Sequence, residues 1–289
     1  MGLPELSIGP ALAEFTRLIA LELSGSSPEL PSFPEVALRV RRALARDDIA
    51  VDEVVRIVSA EPSLAVRLLQ LANSVAMNPG AQRITTLRTA IARVGFNMAR
   101  SATVAFAMSQ MRRAEAWRGL SARFRAIWES NARLAATSYA LARHCGRHDA
   151  DEALMAGMLN ALGKLFVLTR VSRFPALLTD ASIGAEIENV WQARASRALL
   201  YRWELGEEVL SAACEFERAQ ERHEGPATLS DVLLAARYLM DVALPAELHG
   251  QGVLESAPFA RLGLDAAAAA RVLESSADEI ASLRAALAD

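Results

Sequence analysis

The sequence predicts an all-α protein, on three observations. Apolar residues make up 52% of the 289 positions and charged residues 22%, which is a globular rather than a disordered balance. Aromatics are only 6%, while Ala, Leu and Arg abound, a composition that favours helices over strands. No stretch shows the alternation of period two that a half-buried strand requires.

The elements follow in order. Ala11 to Leu23 carries apolar residues at helical spacing, and Ser24-Gly25-Ser26-Ser27-Pro28 breaks it. Pro31-Ser32-Phe33-Pro34 opens the next helix, whose stripe is Val36, Val40 and Leu44 and which ends at Asp47-Asp48. Val51 to Ser59 forms a short helix with Asp52 and Glu53 suited to its positive N-terminal end. Pro62 cannot continue it and opens a third, Ser63 to Val75. Asn78-Pro79-Gly80 is a turn, Thr85 or Thr86 caps a helix carrying Leu87, Ile91 and Val94, and Gly95 ends it. Further helices are expected through Met98 to Met111, then at Phe124 to His144, Asp151 to Thr169, Ile183 to Trp203, Glu207 to Glu221 and Leu229 to Val242. The alanine-rich end, Ala266 to Ala288, should break at Ser275-Ser276 into two closing helices.

Several function classes are excluded by what is missing. There is no GxSxG elbow, no P-loop and no GxGxxG after a strand, so acyl transfer, nucleotide hydrolysis and dinucleotide chemistry lack their presenting turns. Cys145 and Cys214 are too few for a disulfide framework or a CxxC site, and they read as buried thiols. No signal peptide is visible, and the apolar segment Ala153 to Val171, interrupted by Asn160 and Lys164, reads as a core helix rather than a membrane span. A cytoplasmic protein is therefore expected.

Charge is divided unevenly. Residues 1–35 hold one Arg and five Glu, residues 36–133 hold 16 Arg and seven acids, and residues 134–289 hold 13 Arg, one Lys and 22 acids. A basic middle followed by an acidic tail can attract nucleic acid through Arg83, Arg88, Arg93, Arg100, Arg112 and Arg113, or can dock one half of the chain on the other. No nucleic-acid motif or aromatic interleaving accompanies these arginines, which favours internal docking.

A set of separate motifs occurs along the chain in a fixed order. They are Leu30-Pro31-Ser32-Phe33-Pro34 with Val36-Ala37; Glu61-Pro62-Ser63-Leu64 leading to Leu71-Ala72-Asn73-Ser74; Ile84-Thr85-Thr86-Leu87 leading to Ala90-Ile91 and Val94-Gly95; Trp128; and Ala156-Gly157-Met158-Leu159 leading to Gly163-Lys164. In these the chain resembles the HDOD family, from about residue 31 to residue 242. The resemblance implies a helical N-terminal bundle, about 31–115, packed on a C-terminal subdomain, 116–242, related to the HD and HD-GYP metal-dependent phosphohydrolases. Residues 1–30 and 243–289 are then helical extensions.

The resemblance also says where metal ligands would stand. The first His would fall at Ser130 or its neighbour Asn131, the His-Asp doublet at Asn160-Ala161, the paired histidines at Phe216-Glu217 and the late Asp at Ala236. None of these residues is a His or an Asp, so no metal, no cofactor and no enzymatic activity are expected. The resemblance implies instead a bacterial regulatory module of signal transduction that acts through signalling proteins. A residual phosphodiesterase using other ligands, or a nucleic-acid-binding regulator using residues 83–113, are the alternatives.

Four residues remain as candidates for a structural or ligand-binding role: Asn73, Asn160, Gly163 and Lys164. The Asn160 amide can bind a ligand, or can be a core amide bonded to neighbouring helices. Lys164 is the only lysine beside 30 arginines, which suits a flexible ammonium in an interhelical network better than a phosphate site whose metal ligands are missing. His144, His148, His223 and His249 are the only imidazoles. The first two have i, i+4 spacing, but Gly146 lies between them and both are expected at a helix end facing solvent.

Overall fold

In the computed structural model, which describes residues 8–25, 34–44, 46, 48–80, 82–113, 117, 119–179, 181–201, 205–216, 225–242 and 257–288, the chain is built of helices and has no strand among the described residues. A leading helix α1 (Ile8–Ser24) is followed by α2 (Glu35–Leu44), α3 (Val51–Ser59), α4 (Pro62–Ala72) and α5 (Leu87–Arg113). The second group comprises α6 (Ser121–Cys145), α7 (Ala150–Val171), α8 (Ala181–Leu200), α9 (Glu207–Glu215) and α10 (Leu229–Val242), with a 3₁₀ turn at Pro175–Leu178. Three short helices close the chain: α11 (Ala257–Leu262), α12 (Ala266–Ser275) and α13 (Ala277–Ala288).

Local chemistry explains most of the boundaries. Pro62 opens α4, where its missing N–H costs nothing. Thr86 rather than Thr85 caps α5, its Oγ1 accepting from the Thr89 amide at 3.2 Å. Gly95 adopts φ 78°, ψ 171°, a conformation other residues resist, and there α5 kinks into the two helical pieces that the sequence predicts. Asp149 caps α7 by accepting from the Asp151 and Glu152 amides at 2.8 and 3.1 Å. Ser276 separates α12 from α13 at the expected break.

Some limits differ from expectation. α4 stops at Ala72 because the Asn73 side chain turns the chain away towards Ile84, and α8 ends at Leu200, short of Trp203, which lies outside the described residues. α9 runs only to Glu215, and Ser32 and Phe33 also lie outside the described residues. The helix α11 and the 3₁₀ turn have no counterpart among the expected elements.

α7 is the axis of the fold, packed by α5, α6, α8, α9 and α10. It is long and apolar enough to cross a membrane, yet 89% of its apolar stretch is buried against these neighbours, so packing makes it a core helix. Two glycines let it approach them. A Cβ on Gly157 would stand 2.7 Å from the Ala135 Cα of α6, and one on Gly163 would stand 2.5 Å from the Gln192 carbonyl of α8. α2, α3 and α4 pack on α5, which joins them to α6 and α7.

Both extensions fold back onto this body. α1 lies on α7, α8 and the 3₁₀ turn rather than on α2–α5. Phe15 meets the Phe174 ring edge-on at 5.9 Å, and Glu22 pairs at 2.7 Å with the buried Arg170, whose guanidinium lies 3.7 Å from the centre of the Phe166 ring. α13 packs across α4, α5 and α6, where Arg67 of α4 donates to the Leu287 carbonyl at 3.3 Å and Arg143 of α6 pairs with Glu279.

The first turn of α7 contains a pH-dependent cost. Burial, and secondarily the charge of Asp149, push the Asp151 carboxyl up to about 6. Its proton therefore favours the folded state between the ordinary value of about 4 and 6, and stability falls as pH rises through that window. Asp151→Asn should raise the melting temperature at pH 8, with a gain that shrinks towards pH 4. A gain independent of pH would contradict this assignment.

Candidate functional site

The positions where a metal would be expected are brought together around α6 and α7. The four-residue connection after Cys145 makes the two helices antiparallel neighbours, and the Ala135–Gly157 approach sets their register. Asn131 stands four residues before Ala135, and Asn160 three residues beyond Gly157. Because the helices run in opposite directions, these steps lead the same way, by about 6 and 4.5 Å, and rotate both side chains towards the same flank of the interface by about 40° and 60°. The backbones of the two asparagines thus stand at nearly the same level on facing helices.

Each amide is anchored through its nitrogen. Asn131 Nδ2 donates to the Ile127 carbonyl at 2.8 Å, and Asn160 Nδ2 donates across to the Ala213 carbonyl of α9 at 3.0 Å. Asn131 is 1% exposed and Asn160 0%. Of the two positions offered for the first His, Ser130 is half-exposed and Asn131 is buried. Ala161, Phe216 and Ala236 are buried, while Glu217 lies outside the described residues. The described residues at these positions, on or beside α6, α7, α9 and α10, are all uncharged, with the Arg237 guanidinium 6.0 Å from the centre of the Phe216 ring. Amides, alanines and a phenyl ring do not fit a metal pair, and no cluster of His, Cys, Asp or Glu that could hold a metal ion occurs among the described residues.

Gly163 and Lys164 have separate physical reasons. Gly163 is the closest approach of α7 to α8, where even a methyl group would meet Ser196 and the Gln192 carbonyl. Lys164 is half-buried on the same turn and faces Glu188 of α8; burial pushes the Glu188 carboxyl up, against the pull of Lys164 and of Arg123 from α6. The lysine therefore belongs to an interhelical network of three helices. Asn73 is likewise a structural clamp: its Nδ2 donates to the Leu69 and Ile84 carbonyls at 2.8 Å each, and its Oδ1 accepts from the Ile84 amide at 2.8 Å.

The imidazoles divide. α6 ends where Gly146 turns left-handed at φ 64°, so His144 and His148 do not share a helix face. His144 is exposed as expected. His148 is not, and the expectation is corrected: its Nδ1 lies 3.4 Å from Glu208 Oε1, which also accepts from the Leu229 amide, so the ring ties the α6–α7 connection to α9. His223 and His249 lie outside the described residues. Cys145 is half-buried and Cys214 buried, and burial raises both thiols, Cys214 to about 12, which leaves neither reactive.

Among the described side chains the arginines have different surroundings. Arg100 is half-buried and donates to the Leu44 carbonyl at 2.6 Å, with Glu152 of α7 favouring its charge. Arg88 pairs with Asp52. Arg83 and Arg93 are exposed, and the side chains of Arg112 and Arg113 lie outside the described residues. Part of the basic middle thus meets acids of the later helices, half-buried Arg100 near Glu152 and exposed Arg123 near Glu188.

One cluster escapes the reading from motifs. Asp231 in α10 is the only fully buried carboxylate among the described residues, 0% exposed, and is paired with Arg261 of α11. Its Oδ2 accepts from the Thr228 amide and hydroxyl at 2.8 and 2.9 Å, while the Thr228 hydroxyl accepts from the Asp231 amide at 3.4 Å. This is a capping box with Asp in the reaching position, and Thr228-Leu229-Ser230-Asp231 before an apolar run is its sequence signal. Asp231 stands five residues before Ala236, about 140° round α10 from it.

Comparison with known proteins agrees with this architecture. A structure from Shewanella amazonensis SB2B, described as a candidate metal-dependent phosphohydrolase, is similar at TM-score 0.77 with 19% identity, covering 97% of this chain and 100% of that one. An HDOD domain protein of unknown function from Geobacter sulfurreducens is similar at TM-score 0.64 and 20% identity, over 95% and 98% of the two chains. A candidate signal transduction protein from Marinobacter aquaeolei VT8 gives TM-score 0.60 and 19% identity, with 97% of this chain aligned to 66% of that one. At such identities the likeness concerns the fold. No curated protein matches the chain. The HDOD domain family matches residues 30–218, nearly all of α2 to α9, and the chain belongs to that family.

Proposed function

We propose that the chain is a non-catalytic regulatory module of signal transduction, acting through contacts with signalling proteins. The observation that carries this reading is the set of uncharged residues Asn131, Asn160, Ala161, Phe216 and Ala236, where a phosphohydrolase would need charged ligands to hold its metals and to lower the pKa of an attacking water. A solved relative of similar fold is described as a candidate signal transduction protein, which supports the regulatory class. Raised thiols and the lack of a nucleophile-presenting turn speak against covalent catalysis.

Metal analysis of the purified chain, paired with assays on cyclic dinucleotides and a model phosphodiester, tests the proposal. Less than about one-tenth equivalent of transition metal and no turnover above buffer are expected, by the mismatch of ligand types. Stoichiometric metal with hydrolysis that Asn160→Ala abolishes would establish the residual phosphodiesterase instead. Tight DNA or RNA binding that weakens steeply with salt and with Arg83→Ala and Arg93→Ala would establish the nucleic-acid reading.

A further inference from the structure

The two amides at the former metal position leave a specific need unmet by the protein. Asn131 Oδ1 and Asn160 Oδ1 are buried and have no hydrogen-bond partner among the described residues. Turning either amide over does not help. A flipped Asn160 would place its oxygen against the Ala213 carbonyl and a flipped Asn131 would place its oxygen against the Ile127 carbonyl, acceptor against acceptor. The orientation of both side chains is thus set by their nitrogens, and two bare acceptors stand on facing helices.

The missing group has a definable chemistry. It must donate two hydrogens, be small enough for a close-packed junction, and carry no net charge. A cation would bring a buried charge, and Asp231, the buried carboxylate that could compensate one, is already engaged by Arg261. Water meets all three conditions, needing two or more polar partners and little room. We infer that one buried water bridges Asn131 Oδ1 and Asn160 Oδ1, tying α6 to α7 and, through the Asn160–Ala213 bond, to α9. The place where a phosphohydrolase holds metal becomes a neutral hydrogen-bonded staple. This rests on the metal-free reading above and goes beyond it by naming what occupies the junction.

A crystal structure of the full chain at high resolution, with parallel manganese and rubidium soaks measured for anomalous signal, tests it. A single water-sized peak within hydrogen-bond distance of both oxygens, without anomalous signal in either soak, is expected. A manganese peak would overturn both this inference and the metal-free reading. A rubidium peak, or a dry junction with the oxygens turned to protein donors, would overturn this inference alone. Urea unfolding of Asn131→Leu, Asn160→Leu and the double variant supplies a second readout. The double variant should shift the midpoint by less than the sum of the single shifts, because the bridge is lost only once; strictly additive shifts would count against a shared bridge.

Discussion

Asp231→Ala should lower the unfolding free energy by about 3–5 kcal/mol, the range for breaking a buried ion pair from one side. The loss arises less from the missing attraction than from what stays behind. Arg261, with a side chain 12% exposed, would keep its charge without its carboxylate, and the Thr228 amide and hydroxyl would lose their acceptor at the start of α10. Two companions separate these parts. Asp231→Asn keeps an acceptor for Thr228 while removing the charge, and should fall between wild type and Ala. Adding Arg261→Met to Asp231→Ala should recover part of the loss, because the stranded cation is gone. Urea unfolding followed by circular dichroism measures all three. If Asp231→Ala loses under about 1 kcal/mol, the range of an ordinary hydrogen bond, the pair does not anchor α11.

The second large effect is expected at Gly163. Alanine there should cost about 3 kcal/mol or more, at the upper end for overpacking, because two of the three atoms it meets are backbone. Ser196 Oγ can rotate away, but the Gln192 carbonyl at 2.5 Å can move only with α8 itself. Gly163→Ala combined with Ser196→Gly should therefore regain little. Gly184 is the control: it is also helical, but a methyl group added to it would have nothing within 4 Å. Its replacement by Ala should be neutral or stabilise by about 0.4–1 kcal/mol through the unfolded chain. Equal effects at the two glycines in thermal melts would show that α7 and α8 have room to separate.

These sites differ in how much of their physics lies along the chain. Pro62, Thr86, Gly95 and the Ser275-Ser276 break act on their own neighbours within a turn, so helix limits set by them are visible in the sequence. The family is visible too, over residues 30–218. The burial of Asn131 beside half-exposed Ser130 is different: it depends on which side of α6 meets α7, near the Ala135–Gly157 contact. The same holds for His148, placed by Glu208 some sixty positions later, and for Asp231, whose partner sits on a helix reached through residues beyond α10. Lys164 shows both limits at once. Its rarity marks it, but its role rests on Glu188 and Arg123, which only the packing of three helices brings near.

The position of α13 has a mechanical consequence. One end of its contact set grips α4 through the Arg67–Leu287 bond, and another grips α6 through the Arg143–Glu279 pair. A rotation of the α2–α5 group against the α6–α10 group would have to stretch or shear this cross-brace. The two groups are thus tied twice, once through α5 and once through the last helix of the chain.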